Sequence, residues 1–164
     1  MSERKYALTD ERHPADDRLR RIRALCYVRP GVRAGDLGGY VESESKLTHS
    51  GSAWVGGSAR VGGSARLGGS ARVDGSALIE EPMHVYAISG PITPNAPRAT
   101  LTRQVDGHLV AIGCWSGTVT DLRRLARSDN WPSGQGAEYR DKWRASLLDV
   151  AALFSRRIKM WEGA

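Results

Sequence analysis

The sequence predicts a mainly β fold: a short parallel β-helix of about two to three coils, with a β-hairpin cap before it and an α+β cap after it. Three observations carry this. A hexapeptide repeats through the middle of the chain, strand-like segments precede it, and a hairpin pattern followed by two helical patterns comes after it. The expected organisation is an N-terminal β cap at 1–40, the repeat at 41–89, and a C-terminal hairpin plus two-helix domain at 90–164.

The repeat comes first because a fixed period outranks local propensity. Val55-GGSAR, Val61-GGSAR, Leu67-GGSAR and Val73-DGSAL lead into Ile79, placing an aliphatic residue every six positions. Ala53, Ala59, Ala65, Ala71 and Ala77 each stand two residues before an aliphatic, so both point to the same face of a short strand. Gly57, Gly63, Gly69 and Gly75 recur at one offset and serve as corners, where positive φ costs glycine little. Val41 and Leu47 extend the period backwards, with two residues inserted in the Thr48–Gly51 corner, and Val85 extends it forwards. Three sides of six make an 18-residue coil, and such a stack needs capped ends. A flexible Gly/Ser linker would share the composition but has no reason to space its aliphatics so strictly.

The flanks supply the caps. Lys5–Thr9 reads as a strand, followed by a polar stretch from Asp10 to Asp17 and a second strand at 19–28. Pro91, Pro94 and Pro97 mark a linker. Asp106-Gly107 between 99–105 and 108–114 signals a hairpin. Thr118-x-x-Asp121 is a capping-box variant opening a short helix through Leu122 and Leu125. Trp143, Leu147, Val150, Phe154, Ile158 and Trp161 form one apolar stripe on a helix at 138–162, suited to packing on the hairpin or on a second subunit.

Composition narrows the function classes. The chain carries 24 Lys and Arg against 18 Asp and Glu, a net charge of +6. The excess sits in the flanks, +3 over 1–36 and +4 over 91–164, with −1 between. Twenty of the 24 basic residues are Arg, the side chain suited to bidentate recognition of phosphate or carboxylate. The basic residues are dispersed and form no reading motif, which argues against direct nucleic-acid binding. No apolar run approaches the ~18 residues of a membrane span, and nothing behind Met1–Lys5 has the form of a secretory signal. Cys26 and Cys114 form no CxxC pair and the four histidines are scattered, so neither a disulfide scaffold nor a metal centre is expected, and no cofactor is implied.

Longer motifs add a resemblance. Lys5-Tyr6-x-Leu8-Thr9, Arg21-Ile22-x-Ala24-Leu25, Gly35-Asp36-Leu37-Gly38-Gly39-Tyr40-Val41-Glu42 and Leu47-x-His49-x-Gly51-x-Ala53-Trp54-Val55 lead into the repeat. Over roughly residues 5–87 the chain resembles the small hexapeptide-repeat proteins of phages and prophages, often labelled polymer-forming or hexapeptide-transferase-like. Gly113-Cys114-Trp115-Ser116-Gly117-Thr118 is a looser match downstream. The resemblance implies that the β-helix is left-handed, against the usual crossover rule. It implies little chemistry, and sets the expectation that a phage protein of this size counters a host defence.

The candidate chemistry is sparse. Hexapeptide acyltransferases, which share the repeat, use a His as general base; the candidates here are His49, in the inserted corner, and His84, on the last side. The stack is short for such an enzyme and no long loop interrupts it. A cysteine hydrolase is excluded by geometry: six residues along one strand would hold His108 and Cys114 about 20 Å apart, and Cys114 reads as a small core residue before a turn. Ser116 and Thr118 open a helix whose free N–H groups would attract an anion, unless Thr118 itself caps them.

The outward ladder is the sharpest pattern. The residue before each aliphatic points out, and sides stack at ~4.8 Å. The three faces then read Tyr40–Arg60–Leu78, Lys46–Arg66–His84 and Trp54–Arg72. The second is a column of cations without an acid. The third sets a guanidinium beside an indole, a stacking platform for a base. The expected function is therefore a non-enzymatic phage or prophage accessory protein, a cytoplasmic dimer or trimer in the bacterial host, binding an anionic small molecule such as a nucleotide messenger. The ligand-binding candidates are Lys46, His49, Trp54, Arg66, Arg72, His84, Ser116 and Thr118. The alternatives are a protein-binding inhibitor of a host defence complex and a hexapeptide-family acyltransferase.

Overall fold

Gly57, Gly63, Gly69 and Gly75 take φ of 58°, 57°, 62° and 70°, the corner conformation that the repeat demands and that a Cβ would oppose. Between these corners the aliphatics Val55, Val61, Leu67, Val73 and Ile79 are all buried, as are Ala53, Ala59, Ala65 and Ala77. The computed structural model describes residues 4–93, 96–129 and 136–162. The chain divides into two compact units, Met1–His84 and Val85–Ala164.

The first unit contains β1 (Tyr6–His13), β2 (Asp16–Ala24), β3 (Leu37–Val41), β4 (Trp54–Val55), β5 (Arg60–Val61), β6 (Arg72–Val73) and β7 (Leu78–Ile79). Five of them form one sheet in the order β1-β2-β3-β5-β7, and β4 pairs with β6. The parallel registers Tyr40↔Arg60↔Leu78 and Trp54↔Arg72 follow the 20- and 18-residue spacings of the sequence. Leu47↔Leu67 makes a third parallel contact.

The expected mainly β architecture, a left-handed parallel β-helix, is nonetheless overturned. The chain is 41% strand and 27% helix, its five-stranded sheet is mixed and its four-stranded sheet antiparallel, and no sheet is closed. Two physical reasons stand out. Gly-Gly-Ser corners take half of each hexapeptide, so the parallel pairs are only two residues long. The β3 edge is then occupied by the antiparallel β1–β2 hairpin. The period also ends early, at Ile79. Pro82 has no N–H to continue a ladder, a 3₁₀ turn forms at Pro82–His84, and Val85 opens an antiparallel strand instead of another side.

The hairpin strands run into the polar stretch expected to connect them, β1 to His13 and β2 from Asp16, and β2 stops at Ala24, short of residue 28, because the chain leaves the sheet through two tight turns. Val32 N donates to Arg29 O at 2.9 Å and Asp36 N to Arg33 O at 3.1 Å. Each turn has a positive-φ glycine third, Gly31 at 84° and Gly35 at 92°, and the first has Pro30 second, the type II pattern.

The second unit is an antiparallel sheet in the order β11-β10-β9-β8 followed by two helices. Its strands are β8 (Val85–Thr93), β9 (Ala96–Gln104), β10 (Gly107–Ile112) and β11 (Trp115–Gly117), and its helices α1 (Val119–Arg127) and α2 (Ala137–Glu162). The Asp106-Gly107 hairpin is present, with Gly107 opposite Gln104. The proline linker is not: Pro91 and Pro97 fall within β8 and β9, while Pro94 lies outside the described residues. The α2 stripe lies inside this unit. Leu147, Val150 and Phe154 join Leu101, Val110 and Leu122 in its core, with Ile158 and Trp161 partly buried against them. Phe154 is fully buried and so unavailable to a second subunit. Cys114 is exposed in the turn after β10 rather than buried.

Candidate functional site

Of the eight residues singled out in the sequence, two line one cleft. Trp54 and Arg72, paired across β4 and β6, border a cavity of about 320 Å³ in the first unit, closed on its other side by the Arg29–Val32 turn, Asp36 and Leu37. Trp54 is only 4% exposed, so it is a wall of the cleft and not the open stacking platform expected from alternation. Parity alone misses this because the N-terminal segment covers the outward face: a Cβ on Gly38 would stand 2.8 Å from the indole ring. Tyr40 is buried for the same reason, its hydroxyl donating to Glu11 Oε1 at 2.9 Å with the edge of His13 against its ring.

Arg72 is exposed and its Nε pairs with Asp74 Oδ2. Asp74 stands where the other repeats carry Gly56, Gly62 and Gly68. Its Oδ1 lies over Gly56, where a Cβ would overlap it. Opposite, Arg29 presents a buried Nε without a hydrogen-bond partner among the described residues, while its Nη1 reaches Ser52 O at 3.5 Å. Arg29 was missed in the sequence, although Pro30-Gly31 marks the turn that aims it. Asp36 is held in place by accepting the Arg33 amide at 2.7 Å.

The other candidates disperse. Lys46 and Arg66 are neighbours through the Leu67 N–H to Lys46 O bond of 2.8 Å, but the column is not free of acid. Glu42 Oε2 lies 3.7 Å from Lys46 Nζ, which also donates to Gly63 O. Glu42 precedes Lys46 by four residues, outside the ladder positions that alternation counts. His84 does not continue this column: it is 6% exposed in the 3₁₀ turn that ends the repeat. Arg66 is exposed.

Ser116 lies exposed on β11, and the helix start beside it is already satisfied. Asp121 N donates to Thr118 Oγ1 at 3.1 Å and Thr118 N to Asp121 Oδ2 at 3.0 Å, completing the capping box. Val119 N donates to His108 Nε2 at 2.9 Å. A carboxylate and an imidazole thus hold the amides that an anion would need, and the anion site expected at Ser116 and Thr118 is not formed.

All four histidines share this role. His13 Nδ1 accepts from Ala15 N at 3.1 Å, His49 Nδ1 from Lys5 N at 3.2 Å, and His84 Nδ1 from Glu80 N and Glu81 N at 3.2 and 3.3 Å. A neutral imidazole has one acceptor nitrogen. In His49 and His84 it is spent on the backbone, leaving the proton on Nε2. His49 Nε2 is buried with its ring stacked on Tyr6 at 4.4 Å, and neither ring offers a lone pair to a substrate.

No family model, curated protein or solved structure matches the chain. No helix among the described residues is long and apolar enough to cross a membrane. No group of three His, Cys, Asp or Glu side chains among them is arranged to hold a metal ion.

Proposed function

We propose that this is a non-enzymatic binding protein whose first unit holds an anionic small molecule in the cleft between Arg29 and Arg72. The observation that carries the reading is that two guanidinium side chains, Arg29 and Arg72, line one cleft, Arg29 reaching Ser52 O through Nη1 at 3.5 Å. A hydrogen bond to a charged group is worth about 1.5–3 kcal/mol, and an anionic oxygen in the cleft accepts one from a guanidinium on its wall. The commitment of all four imidazole acceptors to backbone amides supports binding over acyl transfer, because no histidine is left as a general base. The resemblance of residues 5–87 to phage and prophage hexapeptide-repeat proteins supports an accessory role: a dimer or trimer in the host cytoplasm that sequesters a nucleotide signal of host defence.

A second reading has its own support. Leu25, Tyr27 and Leu37 are 48%, 64% and 45% exposed around the same turns, apolar surface suited to a protein partner of a host defence complex.

Thermal unfolding tests the first reading. Nucleotides should raise the midpoint more than inorganic phosphate at equal ionic strength, Arg29→Met should remove most of that gain, and acyl-CoA should not be turned over. Absence of stabilisation by any nucleotide would overturn it.

A further inference from the structure

Asp74 is the one departure from glycine at its position in the four consecutive repeats Val55–Leu78, and the fold makes room for it. Gly56, one level away, lacks the Cβ that would collide with Asp74 Oδ1. The carboxylate therefore sits on the cleft wall with Oδ2 on Arg72 Nε, while Oδ1, over Gly56, accepts no hydrogen bond from any described residue. Each carboxylate oxygen carries two acceptor directions, so Oδ2 retains one as well. The cleft charges balance: Arg29 and Arg72 stand against Asp36 and Asp74. A bare anion would meet two carboxylates as well as two guanidiniums, so charge alone does not favour it. The complementary ligand has an anionic end for Arg29 and a pair of N–H donors for Asp74.

We propose, resting on the anion-cleft reading above, that the ligand is a guanine nucleotide and that Asp74 is the residue that selects its base. Among the standard bases, only guanine presents two adjacent donors, N1–H and the N2 amino group, on one edge, and a carboxylate accepts both. Adenine offers an acceptor at N1 where Asp74 also has only acceptors, which sets two lone pairs against each other. Pro30 and Leu37 on the rim supply apolar surface for the faces of a base, and the phosphate meets the Arg29 guanidinium that lines the same cleft.

The test is calorimetric titration of the intact protein with GMP, AMP and inorganic phosphate at equal ionic strength. GMP should bind at least about tenfold more tightly than AMP, the size of effect expected for one hydrogen bond to a charged group gained or lost. Asp74→Asn should reverse that preference, because a carboxamide donates to adenine N1 and accepts from N6. Asp74→Gly, which restores the repeat residue, should abolish selectivity while leaving phosphate-dependent binding through Arg29. Equal binding of GMP and AMP, unchanged by either substitution, would overturn the guanine assignment and leave the anion cleft standing. Failure of every nucleotide to bind the wild-type protein would overturn both.

Discussion

The imidazole of His108 caps helix α1, its Nε2 accepting the Val119 amide at 2.9 Å. Burial holds the His108 pKa below its ordinary 6.5, against a weaker upward pull from Asp121. The folded state therefore binds fewer protons than the unfolded chain between the two pKa values. Stability is present above pH about 6.5 and is lost as pH falls from there toward the lowered folded value. Protonation also converts the acceptor into a donor facing Val119 N–H. Urea unfolding at pH 7.5, 6.5 and 5.5 should show a falling free energy of unfolding. His108→Asn, whose amide oxygen can accept without titrating, should flatten part of that slope. An unchanged slope would show that His108 does not titrate on unfolding.

The rest of the same helix start gives a second expectation. Thr118 and Asp121 satisfy each other's backbone amides, so Thr118→Ala should lower stability by about 1 kcal/mol. Chemical denaturation of the single variant measures it. Because Thr118 N and Val119 N stay held by Asp121 and His108 in the variant, the single amide it frees makes no phosphate site, and added phosphate should rescue neither the variant nor the parent.

The parts of this architecture that depend on spacing were legible in the sequence. The registers Tyr40↔Arg60 and Trp54↔Arg72, the positive-φ corners, the Asp106-Gly107 hairpin and the Thr118 cap each follow from residues within one period or one turn. What was hidden is what covers what. Alternation places Tyr40 and Trp54 outside, and it is the packing of residues far away in sequence, Glu11, Ile22 and Gly38, that buries them. The same holds for the cleft: Trp54 and Arg72 were visible as a pair, but Arg29 arrives from a turn well before both, outside the repeat, whose direction no periodicity encodes. The β-helix expectation failed because a period describes one set of pairings, while the hairpin on β3 and the helices after the repeat decide the rest of the fold.

Leu67 tests the repeat core directly. It is 6% exposed and pairs with Leu47 on the neighbouring level. Leu67→Ala should cost roughly 2–5 kcal/mol through lost burial and a residual cavity. Ser64→Ala, at an exposed position in the preceding corner, should stay within about 0.5 kcal/mol. Urea midpoints of the two variants compare them, and a Leu67→Ala loss below about 0.5 kcal/mol would mean that the repeat interior is not tightly packed.

Two glycines of the first unit should respond oppositely to the same substitution. A Cβ at Gly38 would meet Val55 O at 2.5 Å, Ile22 Cγ1 at 2.6 Å and the Trp54 ring at 2.8 Å. One of these is backbone and the others are buried side chains, so none can retreat cheaply. Gly38→Ala should therefore destabilise by about 1–3 kcal/mol, the range of overpacking in a filled core. At Gly56 the obstacle is Asp74 Oδ1, the end of a side chain that can rotate into solvent. The cost there is the exposed Arg72–Asp74 pair, worth about 0–1 kcal/mol, offset by the about 0.4–1 kcal/mol that alanine gains from a less flexible unfolded chain. Gly56→Ala should thus be nearly neutral in denaturant, yet it moves the Asp74 carboxylate off the cleft wall. The informative result is the separation of the two readouts: Gly38→Ala lowers the unfolding midpoint, while Gly56→Ala leaves the midpoint in place and removes the preference for GMP over AMP. A large loss of stability in Gly56→Ala would mean that Asp74 is fixed by the fold and cannot swing away.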